Sequence, residues 1–158
     1  MTRSIAALSA FAFLAALALP ACGEDKGPVA IKLGRDVCEM CGMIISDPRF
    51  LTEVRLADNK IHKFDDVGDA VNWLSAACKT PDDATEFWVI DSKNGKRWLD
   101  ARKAFYRSAE TPMNYGFGAV EEATPDSISF EAMRAKTSRA KYACKSASPT
   151  DAPANPRP

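Results

Sequence analysis

The sequence predicts an α+β protein of two small ββα-type units, preceded by a Cys/Met-rich loop and followed by a C-terminal helix. Three observations lead there. Two pairs of short segments carry strand-like apolar residues on either side of a turn. Each pair is followed by an aspartate where a helix cap would stand. The stretches KIHKFDDVGDAV and GKRWLDARKAFY also align as turn, strand, bulky apolar residue, aspartate and helix, which reads as an internal duplication.

The chain opens MTRSIAALSAFAFLAALALPAC. One basic residue, Arg3, precedes an apolar run from Ile5 to Leu19. At about 15 residues the run is shorter than the ~20 of a spanning helix, and it has the form of an export signal. Leu19-Pro20-Ala21-Cys22 looks like a bacterial lipobox, so residues 1–21 are expected to be removed and Cys22 lipidated. Gly23 after it, rather than Asp, points to the outer membrane, with the body facing the periplasm. Residues 22–28 then form a polar tether, 29–145 the folded body, and 146–158 (SASPTDAPANPRP) a Pro- and Ser-rich tail that cannot bury a core. Removing the first 21 residues from the 158-residue chain leaves 137, enough for one modest domain. With 21 basic and 21 acidic side chains, the charge balance argues against nucleic acid or an acidic membrane surface as the main partner.

Within the body, Thr52–Asp58 alternates Val54 and Leu56 with polar neighbours and reads as a strand, Asn59-Lys60 as a turn, and Ile61–Phe64 as the return. Asp65 or Asp66 caps a helix whose apolar face holds Val67, Ala70, Val71, Leu74, Ala77 and Cys78. Glu86–Asp91 and Lys96–Leu99 flank the turn residues Asn94-Gly95, and Asp100 precedes a second helix through Ala101, Ala104 and Phe105. A last helix over Ser129–Tyr142 has a thin apolar stripe of Phe130, Met133 and Thr137.

The chemistry concentrates in Cys38-Glu39-Met40-Cys41-Gly42-Met43. With Cys22 assigned to lipid, Cys38, Cys41, Cys78 and Cys144 remain, an even number for an oxidising compartment. Cys78 and Cys144 read either as a bridge or with Cys78 as a small buried hydrophobe. The C-x-x-C spacing is compatible with a redox pair, which normally follows a strand and opens a helix. Zinc wants four nitrogen, thiolate or carboxylate ligands, and the chain has one histidine, His62, and no second C-x-x-C. Neither of these uses the methionines. Cu(I) does, because a soft ion takes thiolate and thioether sulfur together. Met40 and Met43 each lie two positions after a cysteine, and Gly42 lets the backbone turn tightly between Cys41 and Met43. Met40 and Met43 as core residues beside a structural disulfide are the plainer alternative.

The succession of lipobox, CEMCGMIISDPRF, FDDVGDAV and TPMNYGF resembles the NosL family of copper-binding lipoproteins, accessory factors in assembling the copper centres of nitrous oxide reductase. The resemblance runs from about Cys38 to Val120, and its most specific elements are Cys41-Gly42-Met43 and Thr111-Pro112-Met113. It implies a fold of two ββα-type units and one Cu(I) held by cysteine and methionine sulfur. Carried onto this chain, the metal ligands are Cys41, Met43 and Met113, with Cys38 and Met40 supplementing or replacing them, and His62 a further candidate. The chain departs from the pattern at Asn114, where glycine is common, and at Asp69, which stands where a sulfur residue is often found and so removes a ligand. The implied role is that of a non-enzymatic copper chaperone serving a copper-receiving protein or assembly complex of nitrous oxide reductase maturation. A periplasmic thiol–disulfide oxidoreductase is the alternative.

Overall fold

The computed structural model describes residues 26–145, so the expected signal segment 1–21, the expected lipidation at Cys22 and the 146–158 tail lie outside the described residues. The body is α+β, as the sequence predicts. Strands β1 (Thr52–Arg55), β2 (Ile61–Phe64), β3 (Glu86–Ile90) and β4 (Trp98–Asp100) make one antiparallel sheet in the order β2-β1-β3-β4. Strands β5 (Phe105–Ser108) and β6 (Phe117–Val120) pair separately, and helices α1 (Val67–Ala76) and α2 (Phe130–Thr137) complete the core.

Alternation decides which side of the larger sheet is inside. Val54 pairs with His62 and Phe87, and Thr52 with Phe64 and Val89, so these side chains share one face with Leu99. Val67, Ala70, Val71 and Leu74 of α1 are buried with them in one cluster. The opposite face carries Glu53 and Arg55, and the N-terminal segment crosses it. Gly27 N donates to Glu86 Oε1 at 2.8 Å and Val29 N to Glu53 Oε2 at 2.8 Å, while Arg55 bonds both Glu86 and the Gly27 carbonyl. Attachment to the sheet therefore begins at Gly27, inside the stretch read as tether.

The β1–β2 turn is where the sequence puts it, with Asn59 in the left-handed region that asparagine tolerates (φ 61°). β1 ends at Arg55 rather than Asp58, because the next residues bend into that turn. Asp66, of the two aspartates proposed, caps α1: its Oδ1 accepts from Gly68 N at 2.9 Å.

The far end of α1 corrects the expected apolar face. The helix stops at Ala76, Ala77 is exposed, and Cys78 sits beyond it at φ 56°. Cys78 N donates to Ser75 O and Lys79 N to Leu74 O, the Schellman pattern, with cysteine in the left-handed place glycine usually takes. So placed, Cys78 is not a buried hydrophobe. It is disulfide-bonded to Cys144, 66 residues on, with Cα atoms 4.9 Å apart.

The second unit also differs. Asp100 starts a turn as a cap would, its Oδ1 accepting from Arg102 N and its carbonyl from Lys103 N and Ala104 N. One turn forms and no helix follows. Arg102 and Lys103 leave only two small apolar residues on that turn, whereas Tyr106 is wholly buried by running on as β5 against β6. The helix that closes this unit is α2, capped by Ser129 Oγ on Ala132 N, with Phe130 edge-on to Phe87 at 5.6 Å. It ends at Thr137; of the remainder expected to be helical, Ser138 and Arg139 are extended and Ala140–Tyr142 makes a short helical turn.

Candidate metal centre

The Cys/Met-rich loop is the tip of a small hairpin. Val37 and Ile44 form an antiparallel bridge, Cys38 N donates to Met43 O at 2.8 Å, and Gly42 N donates to Cys38 O at 2.9 Å. Gly42 has φ 76°, so the tight turn expected of it is the one present. Closing the chain this way puts Cys38 and Cys41 at the two ends of a single turn, both facing the start of α1.

What they face is a pair of carboxylates. Cys38 Sγ lies 3.2 Å from Asp69 Oδ2, and Cys41 Sγ 3.7 Å from Asp65 Oδ1. The four ligand atoms of Cys38, Cys41, Asp65 and Asp69 all lie within 4.8 Å of one another. Asp65 immediately precedes the cap and Asp69 falls four residues later in the first helical turn, so helix geometry puts them on one side. Cys38, Asp65 and Asp69 are buried and Cys41 is half-buried, so the group opens to solvent at Cys41.

Burial sets the electrostatics. It pushes the Cys38 thiol well above the ordinary cysteine range, against the partly offsetting backbone N–H groups of Cys41, Asp65 and Met40. Cys41 is also raised by burial, with the charges of Asp65 and Asp69 adding to it and the Met43 N–H opposing. Asp65 is raised by burial, an effect that the neighbouring Asp69 charge reinforces. Both thiols are free, and each donates its proton to a carboxylate.

The remaining residues singled out from the sequence are distributed around this group. Met40 packs half-buried on the core edge, and Met43 stands 47 % exposed at the hairpin tip. Met113 is half-buried in a loop fastened to the same end of α1. In that loop Thr111 Oγ1 accepts from the backbone N–H of Tyr115 and Gly116, and Asn114 takes φ 55°. The Tyr115 ring lies on Gly68, where a Cβ would fall 2.1 Å from its Cγ, and its hydroxyl interacts with Asp69. Arg139 covers the other face of the ring at 4.1 Å. His62 is outside the four-residue group. Its side chain is mostly buried, with Nδ1 2.7 Å from Glu39 Oε2 and its ring 4.2 Å from that of Trp73.

Asp65 and Asp69 are what sequence reasoning missed. Asp69 was read as the loss of a sulfur donor, but the structure makes it the hydrogen-bond acceptor of Cys38. The signal was there in FDDVGDAV: two aspartates four apart across a helix start.

No family model matches the chain, and no curated protein matches its sequence. Among solved structures, the crystal structure of the copper chaperone NosL from Shewanella denitrificans resembles it with a TM-score of 0.52 and 21% sequence identity, over 68% of this chain and 85% of that one. The two share a fold.

Proposed function

We propose that this chain is a copper(I) chaperone that binds the ion as cargo at Cys38 and Cys41 and passes it on. The observation that carries the reading is the pair of free thiols held on one turn against the start of α1, within 4.8 Å of two carboxylates, on the fold of a protein named as a copper chaperone. Two thiolates are soft donors and suit Cu(I). Asp65 and Asp69 are hard oxygen donors that Cu(I) does not favour. Their part is to orient the thiols and to stand beside each sulfur as an acceptor for the proton that metal binding displaces.

Met43 and Met113 would complete the ligand set, with Met40 as a supplement. A thioether carries no charge and no proton, so it joins or leaves without the rearrangement a thiolate needs. The half-exposed Cys41 and the exposed Met43 put the transferable side of the site outward, and Cys38 anchors it inside. An incoming donor can then bind before the last sulfur departs. Under this reading the mature protein is tethered through Cys22 on the periplasmic side of a membrane, and the copper goes to a nitrous oxide reductase assembly.

The thiol–disulfide oxidoreductase reading is the weaker one, because the C-x-x-C pair sits at a hairpin tip and not after a strand at the start of a helix, where a redox pair normally lies. The test is Cu(I) competition against a chromophoric chelator on the reduced chain. One equivalent should bind, Cys38→Ser and Cys41→Ser should each lose at least tenfold in affinity, and oxidation of the C-x-x-C pair should abolish binding. Equal Cu(I) binding by the reduced and oxidised forms would sink the proposal.

A further inference from the structure

Among the described residues, the exposed large hydrophobics are Leu33 (43 %), Val37 (48 %), Met43 (47 %) and Ile44 (57 %), all within twelve residues of one hairpin. Single exposed apolar side chains are ordinary, but a cluster confined to one element marks a contact surface. The backbone holds the cluster together. Val37 and Ile44 are bridge partners, and Gly34 N donates to Ile45 O at 2.9 Å, folding the turn that carries Leu33 back beside Ile44. The same hairpin carries Cys41, the half-exposed end of the metal centre.

The hairpin carries two bases, Lys32 and Arg35, and two acids, Asp36 and Glu39, but they are not equally available to a partner. Its acids are occupied, Asp36 by Lys63 at 2.7 Å and Glu39 by His62 at 2.7 Å. Lys32 and Arg35 are exposed, and neither forms an ion pair among the described residues. The surface is thus an apolar centre with a basic margin.

We infer that this hairpin face is the docking surface for the protein that exchanges metal with the site, a partner with an apolar patch bordered by carboxylates. The inference rests on the copper-handling reading and adds to it the surface and the chemistry of the partner. A second copy is the less favoured occupant, because its Asp36 and Glu39 are already partnered and it would bring Lys32 and Arg35 no unpartnered carboxylate. A bilayer fits the basic margin but offers no donor for the ion, and it would cover Cys41, the side from which metal leaves.

The experiment uses the full chain with Val37→Ser/Ile44→Ser, and separately Arg35→Glu, whose exposed side chain leaves folding intact. Cu(I) affinity by chelator competition should be unchanged in both. In the native host, benzoylphenylalanine at position 44 should photo-crosslink to a protein while the same residue at position 141 does not. The crosslinked protein, purified, should take Cu(I) from the wild-type chain at least tenfold faster than from either variant, and more slowly as salt rises. Equal transfer rates from wild type and variants, equal crosslinking from both positions, or no adduct at all would overturn the inference. So would self-association of the wild type that the variants lose, or variant-sensitive binding to phosphatidylglycerol vesicles. Failure of the wild type to bind Cu(I) would instead overturn the function, and the crosslinking arm would still report on the surface.

Discussion

Replacing both members of the Cys78–Cys144 bridge by serine should be the most destabilising conservative change away from the metal centre. The bridge closes a loop of 66 residues. The chain-entropy relation gives about 4 kcal/mol for a loop of that length at 25 °C. For a body of this size each kcal/mol moves the melting midpoint by roughly 3–5 °C, so the variant should melt roughly 12–20 °C lower. Both cysteines are at the surface or half-buried, so serine leaves no cavity to add to this figure. The assay is urea denaturation of Cys78→Ser/Cys144→Ser followed by far-UV circular dichroism, with the midpoint and slope read separately. A reductant should reproduce the loss in the wild type and do nothing further to the variant. A loss below about 1 kcal/mol at unchanged slope would refute the reasoning. It would mean that residues 138–145 fray locally and that the loop contributes little to global stability.

Gly68→Ala should destabilise by about 1–3 kcal/mol, because the new Cβ would meet the Tyr115 ring at 2.1 Å and the ring, packed under Arg139, must move; thermal denaturation reads this, and an unchanged midpoint would show the ring to be loosely held. Burial raises the Glu53 carboxyl to about 6, so the native state holds that proton more tightly than the unfolded chain. Its contribution is full below the unfolded value near 4.5 and is lost as pH rises through about 6, an effect of about 2 kcal/mol. Wild type and Glu53→Gln denatured in urea at pH 4.5 and pH 7.5 should therefore differ in pH slope, with the variant gaining relative stability at the higher pH; parallel profiles would contradict the shift. Met113→Leu should keep the fold and weaken Cu(I) binding while X-ray absorption loses one sulfur neighbour; an unchanged sulfur count removes Met113 from the site. Cys22→Ser should release the processed protein from the membrane fraction or block its processing, and unchanged membrane association would end the lipobox reading.

The parts of this molecule legible in the sequence are those fixed by local chemistry. The β1–β2 hairpin, the Asp66 cap, the turn at Gly42 and the Ser129 start of the last helix each depend on residues within a few positions of one another. What failed depended on distant partners. The helix expected after Asp100 yielded to β5 because Phe117–Val120 was available to pair with it. Cys78 looked apolar in a helical projection, but the helix ends first and Cys144 is brought within reach by the chain folding back along α1. Asn72 fixes that return: its side chain donates to Thr137 O and accepts from Arg139 N. The candidate metal centre was half legible. Its sulfur was read from spacing, and its carboxylates were not, because nothing in the spacing of Cys38 and Asp69 says that a hairpin tip will land on a helix start.

The disulfide also divides the chain. The covalent ring from Cys78 to Cys144 contains β3 to β6 and α2, whereas Cys38, Cys41, Asp65 and Asp69 all precede it. Under the copper-handling reading, the sulfur hairpin would be free to open and release its ion while every residue inside the ring keeps its cross-link. Amide hydrogen exchange should show this as two tiers, with residues 32–45 opening at a fraction of the free energy needed by β3. Under that reading, transfer would then draw on a segment outside the covalent ring, with the cross-linked remainder as its fixed mount.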